Sequence, residues 1–239
     1  IVSTFHGAEL AMAKQKKWVA RILRKTLNYS EEITCNSSHT YNQIQALCGR
    51  KSHIIPYGST VEAKDNSGEE NQVPIILFTG RHIQRKGVEY LIKAMPHILD
   101  QTPARLVVAG DGEYRKTWEQ LSKSLNLEQY VQFTGFVSNR ELEELYRKCD
   151  AYVLPAIHDD QGDTEGLGVV LVEALMHKKP VVASQVGGIV DIIKHEETGL
   201  LVQEKDEQDL AQSIVRLLNE KDFAKELGKK GFEYARWQF

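Results

Sequence analysis

Short runs of β-branched and apolar residues alternate with amphipathic stretches along almost the whole chain. The apolar runs predict nine strands, at residues 1–5, 32–36, 53–57, 74–80, 104–110, 130–135, 151–155, 180–184 and 199–203. The stretches between them have helical spacing, at residues 9–27, 38–48, 88–100, 114–126, 139–148, 167–178, 206–219 and 221–236. Strands that alternate with helices in this way predict an α/β protein with parallel sheets.

A polar segment without periodicity divides this pattern into two unequal parts. Residues 59–72 read STVEAKDNSGEENQ, a composition typical of a linker or exposed loop. Residues 1–58 before it carry three predicted strands, and residues 73–232 after it carry six, enough for a doubly wound sheet. Because ligands of such sheets bind outside the carboxyl ends of the strands, we expect the site in the loops that follow them.

The composition of the chain argues against several classes of protein. Net charge is −3, which argues against general nucleic-acid binding. No run approaches the ~20 apolar residues of a membrane span, and the start does not resemble a signal peptide. The three cysteines are far apart and predict neither a disulfide framework nor a structural zinc site. We therefore expect a cytoplasmic protein.

The loop after the fourth predicted strand reads GRHIQRKG and carries two cations, Arg81 and Lys86, between Gly80 and Gly87. Cations beside a helix N-terminus are suited to bind a diphosphate, because backbone amides, helix dipole and side chains act on the same anion. The alternative is two solvated cations near the start of a helix. The motif alone does not decide between them.

A second motif, TEGLGVVLVEAL, places Glu165 and Glu173 eight residues apart. If a helix begins at residues 166–168, eight residues span about 12 Å, comparable to the distance from ribose to hexose in a nucleotide sugar. A ribose diol would satisfy Glu173 among its apolar neighbours, and the amides of Gly166, Leu167 and Gly168 would face the phosphates. Alternatively, Glu173 pairs with an Arg or Lys in the core.

Two weaker signals do not carry a function. AGDGEYR lacks the third glycine of a dinucleotide fingerprint, and no acidic residue follows the next strand, so it predicts a tight turn. Asp159, Asp160 and Asp163 lack metal-ligand spacing and lie in a long loop, where acidic residues are usually solvated. No metal site is predicted.

Several motifs in order resemble one family. EGLGVVLVE, GRHIQRKG, VVAGDGEY, FTGFVSNRELEELYRKCDAYVLP and PVVASQVGGIVDII are similar to the retaining glycosyltransferases of family 4, in which the first motif is E-x7-E. The resemblance covers nearly all of residues 73–236. It implies a GT-B fold, with a doubly wound, parallel-sheet Rossmann-like donor domain at 73–232 and a partial second Rossmann-like domain at 1–58. Residues 233–239 then begin a terminal crossover helix.

The resemblance also implies roles for individual residues. Arg81 and Lys86, next to Gly80, would contact the donor diphosphate, and Glu173 would hold the ribose hydroxyls. Glu165 would contact the transferred sugar, with His6 nearby from the acceptor side. Phe136 and Val137 would lie against the base. The expected catalytic group is His6, Arg81, Lys86 and Glu165.

These roles predict transfer of a hexosyl unit from a nucleoside diphosphate sugar, uridine- or guanosine-linked, to a saccharide or lipid-linked acceptor, with retention and without a metal or other cofactor. The expected context is cell-surface polysaccharide or glycoconjugate synthesis. A GT-B epimerase or phosphorylase, or a non-catalytic nucleotide-sugar-binding domain, is the alternative. The apolar start and the aromatic end of the chain indicate a piece of a longer protein. We expect this piece to be inactive alone.

A basic amphipathic stretch, residues 11–27, suggests a further partner. Six cations and no acid lie between Ala11 and Ser30, with Trp18 and Ile22 among them. Such a helix can bind the surface of an anionic membrane, here its inner face. The alternative is that the apolar stripe packs on the first sheet and the cations are solvated.

Overall fold

A computed structural model describes residues 1–58 and 71–239, so most of the predicted linker at 59–72 lies outside the described residues. The first part contains a parallel sheet of β1 (Val2–Phe5), β2 (Glu32–Cys35) and β3 (His53–Ile54), in that order. Three helices accompany it, α1 (Ala8–Gln15), α2 (Lys17–Tyr29) and α3 (Ser38–Cys48). The three predicted strands are confirmed, although β3 is shorter than expected.

The second part contains a six-stranded sheet whose pairs are all parallel. Its strands are β4 (Ile75–Thr79), β5 (Arg105–Ala109), β6 (Val131–Gly135), β7 (Ala151–Leu154), β8 (Val181–Ser184) and β9 (Leu200–Val202). They are ordered β6-β5-β4-β7-β8-β9. The order reverses between β4 and β7, so the loops after these two strands diverge there and open a crevice. The predicted doubly wound sheet is confirmed.

Helices cover this sheet. They are α4 (Val88–Leu99), α5 (Arg115–Ser124), α6 (Asn139–Lys148), α7 (Val169–Met176), α8 (Ile189–Ile192), α9 (Glu207–Asn219) and α10 (Lys221–Gln238). Local sequence explains several boundaries. Ser138 and Glu141 form a reciprocal capping box at the start of α6, and Asp206 accepts two backbone N–H groups at the start of α9. The strands of the second sheet and these helices enclose one continuous apolar core.

The structure corrects two helix predictions and adds one helix that was not predicted. The single helix expected at residues 9–27 is two helices, because Lys16 has an extended backbone that ends α1 and begins α2. The helix expected from residue 167 begins at Val169, after Gly168 in a left-handed conformation. Helix α8 follows a glycine pair and is only four residues long, too short for periodicity to reveal.

Contacts between the two parts bring their strand ends face to face. The Asp191 carboxylate of α8 accepts hydrogen bonds from the Ser38 backbone N–H at 2.7 Å and from the Ser38 hydroxyl at 2.6 Å, at the N-terminus of α3. The side chains of Gln15 and Gln161 are joined by a hydrogen bond of 2.5 Å. A carboxylate at a helix N-terminus is a favourable arrangement. These contacts hold the first part over the crevice of the second sheet.

Among residues 1–58 and 71–239, no helix is both long and apolar enough to cross a membrane.

Candidate active site

A cleft of about 390 Å³ lies between the two parts, at the carboxyl ends of both sheets. Eight residues predicted for the site line it: His6, Gly80, Arg81, Lys86, Glu165, Gly166, Leu167 and Gly168. The remaining three, Phe136, Val137 and Glu173, lie outside its lining. The fold thus brings most of the predicted site to the point where the strand order of the second sheet reverses.

Backbone geometry fixes the position of Lys86 in the loop after β4. A short 3-10 helix, Gln84–Lys86, ends at Gly87, whose φ is +64°. A Cβ at Gly87 would lie 1.9 Å from the carbonyl oxygen of Pro155, in the loop after β7. Ile157 N–H also donates to the Arg85 carbonyl at 2.9 Å. Only glycine permits this approach, so the two loops are in direct backbone contact.

Lys86 and Glu165 form a buried ion pair across these loops. The Lys86 Nζ to Glu165 Oε2 distance is 2.5 Å, and the two residues are only 7% and 8% exposed. Arg85 adds a second cation, with its Nη1 at 3.2 Å from the same oxygen and its Nε at 3.6 Å from Asp163. Because Lys86 is buried, it is not a solvated cation at the start of a helix.

Arg81 has a different environment from Lys86. Its side chain is exposed and lines the cleft, so it is accessible to a ligand. Together Arg81, Arg85 and Lys86 place three positive charges around two carboxylates, those of Asp163 and Glu165. The cleft wall therefore carries an excess of positive charge, which favours an anion.

The charge of Glu165 is maintained by its neighbours. Burial alone would raise the pKa of the Glu165 carboxyl, but the Lys86 ammonium and the Arg85 guanidinium hold that pKa below its ordinary value. Its backbone is also fixed, because the Gly188 N–H donates to the Glu165 carbonyl at 3.0 Å. Glu165 is consequently a preorganised, ionised carboxylate in the cleft.

Glu173 is half-buried, less enclosed than Glu165, contrary to the expectation from its apolar neighbours. Its partner is the Tyr146 hydroxyl, which donates to Glu173 Oε2 at 2.8 Å. Since α7 begins only at Val169, helical rise accounts for about 6 Å of the separation from Glu165 rather than the expected 12 Å.

The first part supplies the opposite wall of the cleft. His6 follows β1, is exposed to the cleft and stacks on Tyr57, with ring centroids 5.4 Å apart. Its Nδ1 and the Tyr57 hydroxyl share a hydrogen bond, and Asn36 Nδ2 donates to the His6 carbonyl at 3.3 Å. Because Tyr57 contacts the ring and Asn36 holds the backbone, His6 has a defined orientation across from Glu165.

The two residues expected at the base follow β6, beyond the cleft lining. Phe136 is 84% exposed, and Val137 is half-buried. An exposed phenylalanine immediately after a strand at the carboxyl edge leaves an aromatic face accessible. Their role stays a prediction.

The acidic loop after β7 is internally bonded. Asp159 accepts backbone N–H groups from Gln161 and Asp163, each at 2.9 Å, and Asp160 accepts from Gln84 Nε2 at 2.8 Å. Within the described ranges, no group of three or more His, Cys, Asp or Glu side chains could hold a metal. These aspartates shape the loop that carries Glu165.

Sequence reasoning missed Arg85 and Tyr146. A signal for Arg85 was present, since opposite charges occur in two loops that follow neighbouring strands of the sheet. Tyr146 gave no such signal, because a tyrosine on an amphipathic helix is most often a core residue. Its contact with Glu173 depends on how α6 packs beside β4 and α7.

Solved structures share this architecture. Sucrose-phosphate synthase of Thermosynechococcus elongatus superimposes with a TM-score of 0.86 at 26% identity, over 100% of this chain and 63% of that one. HepE of Anabaena, in complex with UDP and glucose, gives a TM-score of 0.82 at 20% identity, over 99% and 67%. The fold is that of the GT-B glycosyltransferases.

The sequence comparison is more specific. The family model for glycosyl transferases group 1 matches residues 60–234, and the chain belongs to that family. An uncharacterized glycosyltransferase of Methanocaldococcus jannaschii is 40% identical over 71% of this chain and 42% of its own length. A GDP-mannose-dependent phosphatidylinositol monomannoside mannosyltransferase of Mycobacterium tuberculosis is 28% identical over 100% and 66%. The chain thus spans less than two thirds of these relatives.

The buried pair makes a prediction about stability. Glu165→Gln leaves the buried Lys86 without its counter-ion, while Arg85 keeps Asp163, so we expect the free energy of unfolding at neutral pH to fall by about 3 kcal/mol. Because the Glu165 pKa is lower in the folded chain than in the unfolded chain, the wild-type advantage is present above the unfolded carboxyl pKa. It is lost as the pH falls through the folded pKa, which urea titrations at a series of pH values measure.

Glu144→Gln is the matched control for this measurement. Glu144 pairs with Lys148 at 2.6 Å on the exposed face of α6, where solvent screening leaves an ion pair little effect on stability. An equal loss of stability in both variants, or a Glu165→Gln loss that does not change with pH, would contradict the assignment.

Proposed function

We propose that this chain is the donor-binding part, with the end of the acceptor-side part, of a retaining glycosyltransferase of family 4. The reaction moves a hexosyl unit from a nucleoside diphosphate sugar to an acceptor hydroxyl. The observation that carries the proposal is the cationic cleft at the switch point of the second sheet, where Arg81 and Lys86 lie beside Glu165 and opposite His6.

Arg81 and Lys86 bind the diphosphate. An ammonium carries three N–H donors, so the pair with Glu165 does not exhaust the capacity of Lys86. Arg81 presents an exposed guanidinium, which suits a bidentate contact with phosphate oxygens. As the bond to the sugar breaks, negative charge builds on the diphosphate, and these fixed cations stabilise it. The amides of Gly166, Leu167 and Gly168 contribute to the same anion site next to Gly80.

Glu165 and His6 act at the transferred sugar. The Glu165 carboxylate is ionised, fixed and open to the cleft, so it accepts hydrogen bonds from sugar hydroxyls and orients the anomeric carbon. Its engagement by Lys86 and Arg85 makes it a poor covalent nucleophile. This supports a reaction on one face of the sugar through an oxocarbenium-like state, without a metal. His6 contacts the sugar from the acceptor side.

Glu173 binds the ribose, and Phe136 and Val137 hold the base. Half-burial leaves the Glu173 carboxylate accessible, and a carboxylate has acceptor capacity beyond its bond from Tyr146. Phe136 offers an exposed ring for the flat face of a base. These contacts are present in the donor and in the released nucleoside diphosphate alike.

The acceptor is a saccharide or a lipid-linked saccharide in cell-surface polysaccharide or glycoconjugate synthesis. The mycobacterial relative, whose name specifies a GDP-mannose donor and a phosphatidylinositol mannoside acceptor, supports this context. A Bacillus anthracis relative, 25% identical, is named N-acetyl-α-D-glucosaminyl L-malate synthase, so donor and acceptor differ among relatives. The donor of the present chain is uridine- or guanosine-linked.

The ribose contact is tested by Glu173→Ala. Loss of a hydrogen-bonded charged partner costs about 1.5–3 kcal/mol, so we expect nucleoside diphosphate to bind at least tenfold more weakly. Calorimetry with uridine diphosphate and with guanosine diphosphate measures this on the 239-residue chain. Glu128→Ala, an exposed carboxylate before β6, is the control and should bind as the wild type does.

Other outcomes separate the rival functions. Failure of the wild-type chain to bind either nucleotide would contradict a donor site. Normal binding by Glu173→Ala would make that carboxylate structural. If the intact protein isomerises free nucleotide sugar, cleaves a glycoside with phosphate, or binds donor without turnover, it is an epimerase, a phosphorylase or a binding protein instead.

We also propose that α2 contacts an anionic membrane surface. Its Leu27 is buried against the first sheet, but Trp18, Ile22 and Tyr29 lie on another side of the helix and are 64%, 53% and 76% exposed. Lys17, Arg21, Arg24 and Lys25 surround these side chains on the same surface. Exposed aromatic and aliphatic groups ringed by cations fit the headgroup region of an anionic bilayer.

Charge reversal tests the membrane contact. Arg21→Glu combined with Lys25→Glu should abolish sedimentation with vesicles of phosphatidylcholine and phosphatidylglycerol, because each cation contributes about 1 kcal/mol near such a surface. Lys225→Glu with Lys229→Glu makes the same charge change at the same spacing on α10 and should sediment as the wild type does. Equal sedimentation of wild type with neutral and anionic vesicles would refute the contact.

A further inference from the structure

The partner of Glu173 belongs to a buried chain of hydroxyl groups. Tyr146 lies on α6 and is 2% exposed, and its hydroxyl contacts both Glu173 Oε2 and Thr79 Oγ1 at 2.8 Å. Thr79 Oγ1, at the end of β4, is in turn 3.0 Å from the Tyr152 hydroxyl of β7. This series of hydroxyl groups joins the switch point of the sheet to the Glu173 carboxylate on α7.

The Glu173 carboxylate sets the direction of every hydrogen bond in this series of hydroxyl groups. An ionised carboxylate only accepts, so the Tyr146 O–H donates to Glu173. Tyr146 then accepts from the Thr79 hydroxyl, and Thr79 accepts from the Tyr152 hydroxyl. Burial raises the pKa of Tyr146 well above its ordinary value, so its proton is retained. Hydrogen bonds aligned in one direction strengthen one another.

The Tyr146 ring also packs against two other rings. Its centroid lies 5.5 Å from that of Tyr152 and 5.1 Å from that of His177, with the His177 plane inclined by only 17°. His177 Nδ1 shares a hydrogen bond of 2.8 Å with the Glu173 carbonyl, in the same turn of helix. The hydroxyl that contacts Glu173 therefore has a fixed position.

We propose that Tyr146 is a positioning residue for nucleotide recognition, which aims the Glu173 carboxylate at the ribose. This inference rests on the proposed function. A half-buried glutamate has three rotatable bonds and solvent on one side, so without a fixed donor it would sample several orientations. Tyr146 binds one oxygen of the carboxylate and thereby directs the other toward the ligand. A residue that touches no ligand thus determines affinity for the ribose.

The experiment compares a ribonucleotide with an analogue that lacks the ribose diol. Tyr146→Phe keeps the ring and removes the donor, and we expect calorimetry to show about tenfold weaker binding of uridine diphosphate or guanosine diphosphate, whichever the wild type binds. With the corresponding 2′,3′-dideoxynucleoside diphosphate, wild type and Tyr146→Phe should bind equally. The matched control is Tyr152→Phe, two hydrogen bonds further along. It should change the affinity for the ribonucleotide and for the dideoxy analogue by no more than about twofold.

A second variant keeps the proposal testable if Tyr146→Phe does not fold. Thr79→Val removes the donor to Tyr146 with little change of shape, and it should weaken ribonucleotide binding about twofold to threefold without affecting the dideoxy analogue. Equal losses for both nucleotides would show a merely structural role and overturn the inference. So would unchanged ribonucleotide binding by Tyr146→Phe when Glu173→Ala binds weakly, although the proposed function would then stand. If the wild type binds no nucleotide, both fail.

Discussion

The buried pair of Lys86 and Glu165 is the interaction on which the site depends. An ammonium and a carboxylate 2.5 Å apart, with little exposure, offset the cost of burying each charge. The pair joins the loop after β4 to the loop after β7, the two loops that diverge where the strand order reverses. It keeps a positive charge available at a position that solvent hardly reaches. An anion that enters the cleft meets a charge already in place.

Glycine contacts make this pair possible. Gly87 brings the first loop against Pro155, and Gly187, with φ +56°, lies so close to the Glu165 carbonyl that a Cβ there would be 2.0 Å from it. Backbone contact therefore sets the distance between the two loops that carry the charged side chains. The same rigidity extends to Glu173, whose hydroxyl donor is fixed by the core. The ion pair, the backbone contacts at glycine and the hydroxyl donor in the core together preorganise the carboxyl edge of the sheet.

The sequence predicts the strands and the loops of this fold well, because alternating patterns and glycines report local structure. All nine strands and the doubly wound sheet are confirmed. Prediction failed where tertiary contacts decide. The helix that carries Glu173 was expected to begin at residues 166–168, whereas α7 begins at Val169, and the apolar neighbours of Glu173 suggested deeper burial than it has. The Tyr146 contact joins separate elements, which no periodicity in one segment can show.

The decisive measurement is a crystal structure of the chain with a bound nucleoside diphosphate. We expect phosphate oxygens within hydrogen-bond distance of the Arg81 guanidinium and the Lys86 ammonium, while the Glu173 carboxylate accepts from the ribose hydroxyls. The Glu165 carboxylate should remain paired and face the position of the sugar. A nucleotide bound away from the switch point, or a diphosphate that contacts neither cation, would contradict the central claim.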